Sequence, residues 1–220
     1  MALPDLNIPE KEARQRLLDS AEQLFAEKGF DSTSVRDLTQ LAKCNVASVN
    51  YHYGSKENLY QEVFHKHFTL MRETRITSIN RVMQDHGAET TLEQLIEAFA
   101  RAFLEPLLDD SSGRLTMRLM MREMTDPRLP AEMFFEDMVK PVSAVLLGAM
   151  HRICPDLDQR NAQKCVHSLI AQLIHEVQVR IYFTRIQKLD HPMLNLQEML
   201  DHVVQFTAAG MKASLMKEKS

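Results

Sequence analysis

The sequence predicts an all-α protein, and three observations carry that expectation. Glycine (6) and proline (8) are scarce among 220 residues, whereas a chain of short strands needs many tight turns. Leu, Ala, Met, Glu and Gln, which lose least on entering a helix, are abundant. Apolar residues recur every three or four positions, and the interruptions carry capping residues. Hydrophobic residues at 45% and charged residues at 25% are enough to build a core and argue against disorder. A formal charge of −4 excludes a globally basic nucleic-acid coat. Fourteen Met and no Trp suggest a deformable interior.

Each element follows from local signals. Pro9 suits a first helical turn, and Ala13, Leu17, Ala21, Leu24 and Phe25 repeat at helical spacing behind it. Gly29 suits the left-handed residue that closes this helix, with Phe30 packing back on it. Asp31-Ser32-Thr33-Ser34 offers helix caps, so a short helix is expected from about Val35 to Ala42, with Val35, Leu38 and Leu41 inward. Lys43-Cys44-Asn45 is a turn, and Val46–Tyr53 a second short helix. Gly54-Ser55 breaks and recaps the chain. A long helix then runs through Leu59, Val63, Phe64, Phe68 and Met71 towards Met83, ending at His86-Gly87.

Five more helical segments are expected. A capping box at Thr91-Leu92-Glu93-Gln94 opens the first, which ends near Pro106. The Met-rich segment 114–124 stops at Asp126-Pro127. Ala131–Ile153 forms one helix kinked at Pro141. Asp158 caps a long helix to about Ile186, and Asn195 with Glu198 caps the last, to about Met216. The expected division is an N-terminal domain over 10–70 and a C-terminal domain over 71–220.

Two helices of about eight residues on a three-residue turn are marginal alone and need the first helix behind them. That is a helix-turn-helix, here over about residues 33–52, whose second helix enters a DNA major groove. Its outward residues Val46, Ala47, Ser48, Asn50 and Tyr51 are small or hydrogen-bonding, as a groove reader needs. Lys56 stands in a first helical turn, where the helix dipole disfavours a cation and a phosphate would reverse the balance. A merely solvated lysine is the alternative there. His52 and Tyr51 can donate to the same phosphate backbone. The surface from Asn45 to Lys56 is therefore expected to lie against double-stranded DNA, Asn45 included.

Residues Arg14–Phe64 resemble the DNA-binding domain of TetR-family regulators. The resemblance rests on Gly29-Phe30 at a helix end, then Thr33-Ser34-Val35-Arg36, then Tyr51-His52-Tyr53-Gly54-Ser55-Lys56-Glu57. The phrase Asn45–Tyr53, and less closely the run RLMMREMTDPRLP ending at Pro130, are similar to a subgroup with a CerR-type C-terminal domain. The resemblance implies a homodimer with a three-helix DNA reader and an α-helical effector-binding and dimerisation domain. Most such proteins repress, and a small ligand releases the DNA. It also implies that Thr33, Ser34, Arg36, Ser48, Asn50, Tyr51, His52 and Lys56 touch DNA. Lys43 stands where many relatives have Gly, so the turn must use a residue with a Cβ or shift towards Asn45.

The last helix carries Met199, Val203, Phe206 and Gly210 on one side and Leu200, Val204, Ala208, Met211 and Leu215 on the next. That stripe is broader than one neighbour needs and is read as half of an intersubunit bundle; an ordinary buried helix is the alternative. A symmetric pair would set two reading helices about 34 Å apart, facing a near-palindromic operator. Phe103, Met117, Met120, Met121 and Phe134 are expected to line an adaptable effector cavity, with His175, Gln178 and Tyr182 orienting the ligand. The alternative is that they are simply core.

No phosphate loop or nucleophile elbow occurs, so no catalytic residue and no cofactor are expected. His65/His67 and Cys165/His167 point apart on a helix and cannot chelate one ion; no metal is expected. An all-α metal-binding or enzymatic protein with a structural helix-turn-helix remains the competing reading. The cysteines Cys44, Cys154 and Cys165 have no paired spacing, and Cys44 reads as a packed thiol rather than a sensor. No secretory signal and no apolar run near 20 residues are visible, so a soluble protein of the cytoplasm without a membrane partner is expected.

Overall fold

The structure is a computed structural model and describes residues 10–108, 112–183 and 195–217. Ten α-helices are described: α1 (Glu10–Lys28), α2 (Val35–Ala42), α3 (Ala47–Tyr53), α4 (Lys56–His86), α5 (Leu92–Leu108), α6 (Ser112–Thr125), α7 (Ala131–Phe134), α8 (Lys140–Ile153), α9 (Gln159–Phe183) and α10 (Leu196–Lys217). No strand occurs among the described residues. The all-α expectation holds. No helix of the described residues is long and apolar enough to cross a membrane.

The capping signals act as the sequence implies. Gly29 closes α1 at φ +84°. Thr91 Oγ1 accepts from the Gln94 N–H at 3.2 Å while Gln94 Oε1 accepts from the Thr91 N–H at 2.9 Å. Asn195 Oδ1 accepts from the Gln197 N–H, and Asp158 Oδ1 from the Arg160 N–H. The expected end near Ile186 lies outside the described residues.

Two expectations are corrected. Leu41 is 44% exposed, and α2 instead buries Leu38, Thr39 and Ala42. A two-turn helix backed mainly by α1 has room for a narrow buried stripe only. Ala131–Ile153 is not one kinked α-helix. A π-helical turn, Phe135–Val139, precedes α8, and Pro141 sits in the first turn of α8. Pro141 has no N–H for the carbonyl of Asp137, four residues back. Arg72 Nη1 donates to that carbonyl at 2.8 Å, and the wider turn accommodates the ring.

The chain divides into two compact units, with a break after residue 68 and the segment 112–134 assigned to the first. The first comprises residues 10–68 and 112–134; the second, 69–108 and 135–217. Segment 112–134 thus belongs with the N-terminal helices, because α6 packs on α1. Within the first unit, Phe25, Phe30, Tyr60, Phe64 and Phe68 form a run of ring contacts with centroids 4.9–5.9 Å apart. Leu17, Leu38, Val49 and Leu59 are fully buried. In the second unit α10 packs on α5 and α9, and α8 on α9, with Leu95, Phe99, Leu104, Leu173 and Leu200 fully buried.

Candidate nucleic-acid interface

The first unit holds a short helix, α3, by fastening everything around it. Arg122 of α6 caps the end of α1, its Nε donating to Ala26 O at 3.0 Å and its Nη2 to Glu27 O at 2.6 Å. A Cβ at Gly29 would stand 2.9 Å from Arg122 Nη1, so the glycine supplies both the left-handed backbone and the space. Ser34 caps α2: its hydroxyl accepts from the Asp37 N–H at 3.1 Å, and the Ser34 N–H donates to Asp37 Oδ2 at 2.9 Å. These bonds hold the Asp37 carboxyl below its ordinary pKa, the Ser34 backbone N–H foremost.

The turn between the short helices is made by Lys43 itself, at φ 53°, ψ 46°. Its N–H donates to Gln40 O at 3.2 Å and that of Cys44 to Thr39 O at 2.9 Å, which satisfies the last carbonyls of α2. Asn45 does not take the left-handed conformation; its Oδ1 accepts from the Ala47 N–H at 2.9 Å and opens α3. Gly54, at φ +81°, closes α3. Ser55 Oγ accepts from the Asn58 N–H at 3.1 Å and starts α4.

Only Val49 of α3 is buried. Asn45, Val46, Ala47, Asn50 and Tyr51 are exposed, Tyr51 by 72%, and Ser48 and His52 are half-buried. Tyr51 Oη donates to Glu10 Oε1 at 3.0 Å, which raises the Tyr51 pKa. Arg36, Gln40 and Lys43 lie on one exposed face of α2 at spacings of four and three. The side chains of Arg36 and Lys43 pair with no acid among the described residues. A reading surface needs that combination: hydrogen-bonding groups on a thin helix, flanked by unspent cations. Sequence reasoning placed Lys43 in the turn and did not single out Gln40; their spacing from Arg36 was the available signal.

Two residues expected on this surface do other work. Thr33 is fully buried, and its hydroxyl donates to Gly29 O at 2.7 Å. It holds the α1–α2 turn and presents nothing outward. Lys56 Nζ donates to Phe30 O at 2.8 Å and Thr33 O at 2.9 Å, 4.0 Å from the centroid of the Phe30 ring. Those carbonyls offset its place at a helix N-terminus. Cys44 is half-buried, 3.7 Å from Arg16 Nη2.

The expected effector residues are distributed over both units. Met117, Met120 and Met121 are half-buried on α6 of the first unit, and Phe134 is 48% exposed with its ring 5.3 Å from that of Phe68. Phe103 is buried in the second unit. His175 is exposed and Gln178 half-buried on α9, and the side chain of Tyr182 lies outside the described residues. None of them lines the depression of about 480 Å³ bordered by Leu147, Gly148, His151, Leu157 and Ala162. Of the expected dimer residues, Met199 and Val203 are buried in their own unit, because Met199, Leu200, Val203, Ala208 and Met211 form the inner stripe of α10. Phe206 (64%) and Gly210 are exposed. Among the described residues no group of three His, Cys, Asp or Glu is placed to hold a metal.

Sequence reasoning missed Arg75, on α4 in the second unit. It is 7% exposed, and desolvation pulls its pKa down to about 9. The signal was in print: Phe68, Met71, Arg75 and Ile79 fall at helical spacing, an arginine set in an apolar stripe.

Residues 17–63 match the family model described as bacterial regulatory proteins, tetR family, and residues 97–210 the model described as Tetracyclin repressor-like, C-terminal domain. The second match covers more than half of the chain, and the chain belongs to the TetR family of DNA-binding transcriptional regulators. The match places the C-terminal part at the level of the family, not of the CerR-type subgroup. Residues of this chain are 29% identical over 84 positions to the HTH-type transcriptional regulator YttP of Bacillus subtilis, covering 38% of this chain and 39% of that protein. They are 37% identical over 49 positions to IcaR, the negative transcriptional regulator of the biofilm operon icaADBC in Staphylococcus epidermidis, covering 22% of this chain and 26% of that one. The chain thus spans well under half the length of these relatives. The crystal structure of a TetR-family regulator from Mesorhizobium loti shares the fold, with a TM-score of 0.67 at 16% identity over 92% of this chain and 98% of that one. Regulators of this family bind DNA and small molecules, act as dimers and often repress; the family is one of regulators, generally not enzymes.

Proposed function

We propose that this protein is a cytoplasmic repressor that binds a near-palindromic duplex operator as a homodimer and leaves it when a small molecule occupies the C-terminal part. One observation carries the reading: α3 buries Val49 alone and exposes Asn50 and Tyr51, with Ser48 half-buried, beside Arg36 and Lys43, which pair with no acid among the described residues. Base edges would be read by Asn50, Tyr51 and Ser48, with His52 at the margin. Phosphates would be met by Arg36, Lys43, Gln40 and the Ser34 end of α2. The second subunit is needed because one seven-residue helix reads only a half-site. Exposed Ile174 and Phe206, on α9 and α10, are the apolar side chains that pairing would cover.

Release is proposed to be a population shift, with ligand favouring a head spacing that no longer fits successive major grooves. The residues of α4 belong to both units, so it is the element through which occupancy would be felt.

The test starts with selection of bound fragments from genomic DNA, followed by titration of the recovered duplex. A near-palindrome should emerge, and the affinity should fall steeply with salt, by several powers on a log–log plot. Asn50→Ala and Tyr51→Ala should each abolish selective binding while leaving stability within about 1 kcal/mol. Equal collapse of folding in both variants would turn the reading towards a structural helix-turn-helix.

A further inference from the structure

Several of the chain's exposed or half-buried arginines find acids. Arg101 reaches Glu97 and Glu105, each at 3.0 Å, Arg14 reaches Glu62 at 2.8 Å, and Arg128 reaches Asp31 at 2.6 Å. Arg75, the most deeply buried of those described, has no carboxylate among the described residues. Its guanidinium carbon lies 3.9 Å from the centroid of the Phe103 ring. Among the described residues its Nη1 reaches only the thioether of Met138, at 3.9 Å, and its buried Nε has no acceptor.

A guanidinium carries five N–H donors in a planar fork. A ring face answers its charge in part, but a thioether is a weak acceptor. A buried cation left in this state is unfavourable unless something brings the missing oxygens. Arg72, one turn earlier on α4, cannot help, since its Nη1 is held by Asp137 O. Both arginines thereby converge on the π-helical turn Phe135–Val139, a departure from α geometry of the kind that often marks functional positions.

We propose that Arg75 is the anchor of an anion-binding site and that its ligand is a small monocarboxylate with an apolar body. The carboxylate matches the fork with two parallel hydrogen bonds and supplies the single negative charge one arginine calls for. The body must be apolar because the groups against the guanidinium are Phe103 and Met138, both buried. Entry of the acid displaces the Met138 sulfur from Nη1 and so acts on the π-helical turn, backbone already out of α register. The inference gives the chemistry of the effector and rests on the ligand-binding reading above.

The test uses the full-length protein without DNA, and decanoate and 4-phenylbutyrate as probes against decanol and 4-phenylbutanol. Titration calorimetry should find at least one acid bound about ten- to a hundredfold more tightly than its alcohol. Arg75→Met should erase that preference and melt no lower than the parent. If that variant does not fold, carboxyl-labelled decanoate on the parent protein decides: its carbon resonance should move away from the value in water and saturate at one equivalent. Acids bound no better than alcohols, a preference that survives Arg75→Met, or a resonance that stays at its aqueous value would each overturn the proposal. Operator binding is measured on the same preparation. A protein that holds its operator and ignores both acids sinks this inference alone, whereas one that binds neither sinks the regulator reading as well.

Discussion

The two units hold themselves together by different means. In the first, charged and polar side chains bind backbone ends across elements: Arg122 on the last carbonyls of α1, Lys56 on Phe30 and Thr33, Tyr60 Oη on Glu123, and Glu123 on the N–H groups of Arg128 and Leu129. In the second, α5, α8, α9 and α10 meet mainly through Leu, Phe, Met and Val side chains, with polar bonds such as Ser78 Oγ to Ala98 O and Arg101 Nη2 to Gln197 Oε1 beside them, and a buried arginine there has no acid among the described residues. Directional bonds fix positions to fractions of an ångström, which two helices of seven and eight residues need if one is to present a face. Apolar contacts tolerate repacking, above all where methionine contributes. On the proposed function, geometry is held tight where a surface would be read and looser where an interior would admit a guest.

The largest effect that would sharpen this contrast is in the second unit. Phe99 is fully buried and its ring lies 6.2 Å from that of Phe103. Phe99→Ala should cost about 3–5 kcal/mol in urea unfolding. A loss below 1 kcal/mol would mean that the apolar unit is not held by packing.

The next lies in the first unit and depends on pH. Glu22 is buried against Lys66 Nζ at 2.6 Å and His67 Nε2 at 2.8 Å. Burial alone would raise its pKa, but the close contacts with His67 and Lys66 prevail and hold it at about 2. The folded value lies below the ordinary one, so the unfolded chain binds the extra proton on acidification and stability falls with falling pH. The contribution, about 2 kcal/mol with partial exposure allowed for, should be complete above pH 4.5 and vanish towards pH 2. Glu22→Gln should flatten that limb of the stability curve, and an unchanged limb would show that the pair is inert.

Arg122→Ala should follow, at about 1–2 kcal/mol, since it frees the carbonyls at the end of α1. Hydrogen exchange should quicken at the α1 end first, and uniform quickening would deny that the bonds are local. Thr33→Val should remove about 1 kcal/mol from thermal unfolding and weaken DNA binding no more than that loss explains. The smallest effect belongs to Leu41→Ser, within about 0.5 kcal/mol, because that leucine faces water.

Much of this was legible in the chain. Gly29, Ser34, Gly54, Thr91 and Asn195 set helix ends through bonds made within four residues, so sequence order suffices to read them. The thin outward face of α3 was legible for the same reason. Membership of α6 in the first unit was not: Arg122, Glu123 and Arg128 are ordinary surface types, and only the fold reveals which carbonyls they meet. The π-helical turn was hidden because Pro141 announces a lost hydrogen bond without saying how the backbone absorbs it. The broad stripe of α10 was seen, but its division between inner Val203 and outer Phe206 depends on where α5 and α9 lie.

Lys43 closes its turn in a conformation that glycine adopts freely and that costs a residue with a Cβ about 1 kcal/mol. Lys43→Gly would relax that strain, yet it would also erase a positive charge from the rim of the helix-turn-helix. On the proposed function, that slight discomfort of the turn accompanies a cation stationed where a polyanion would pass.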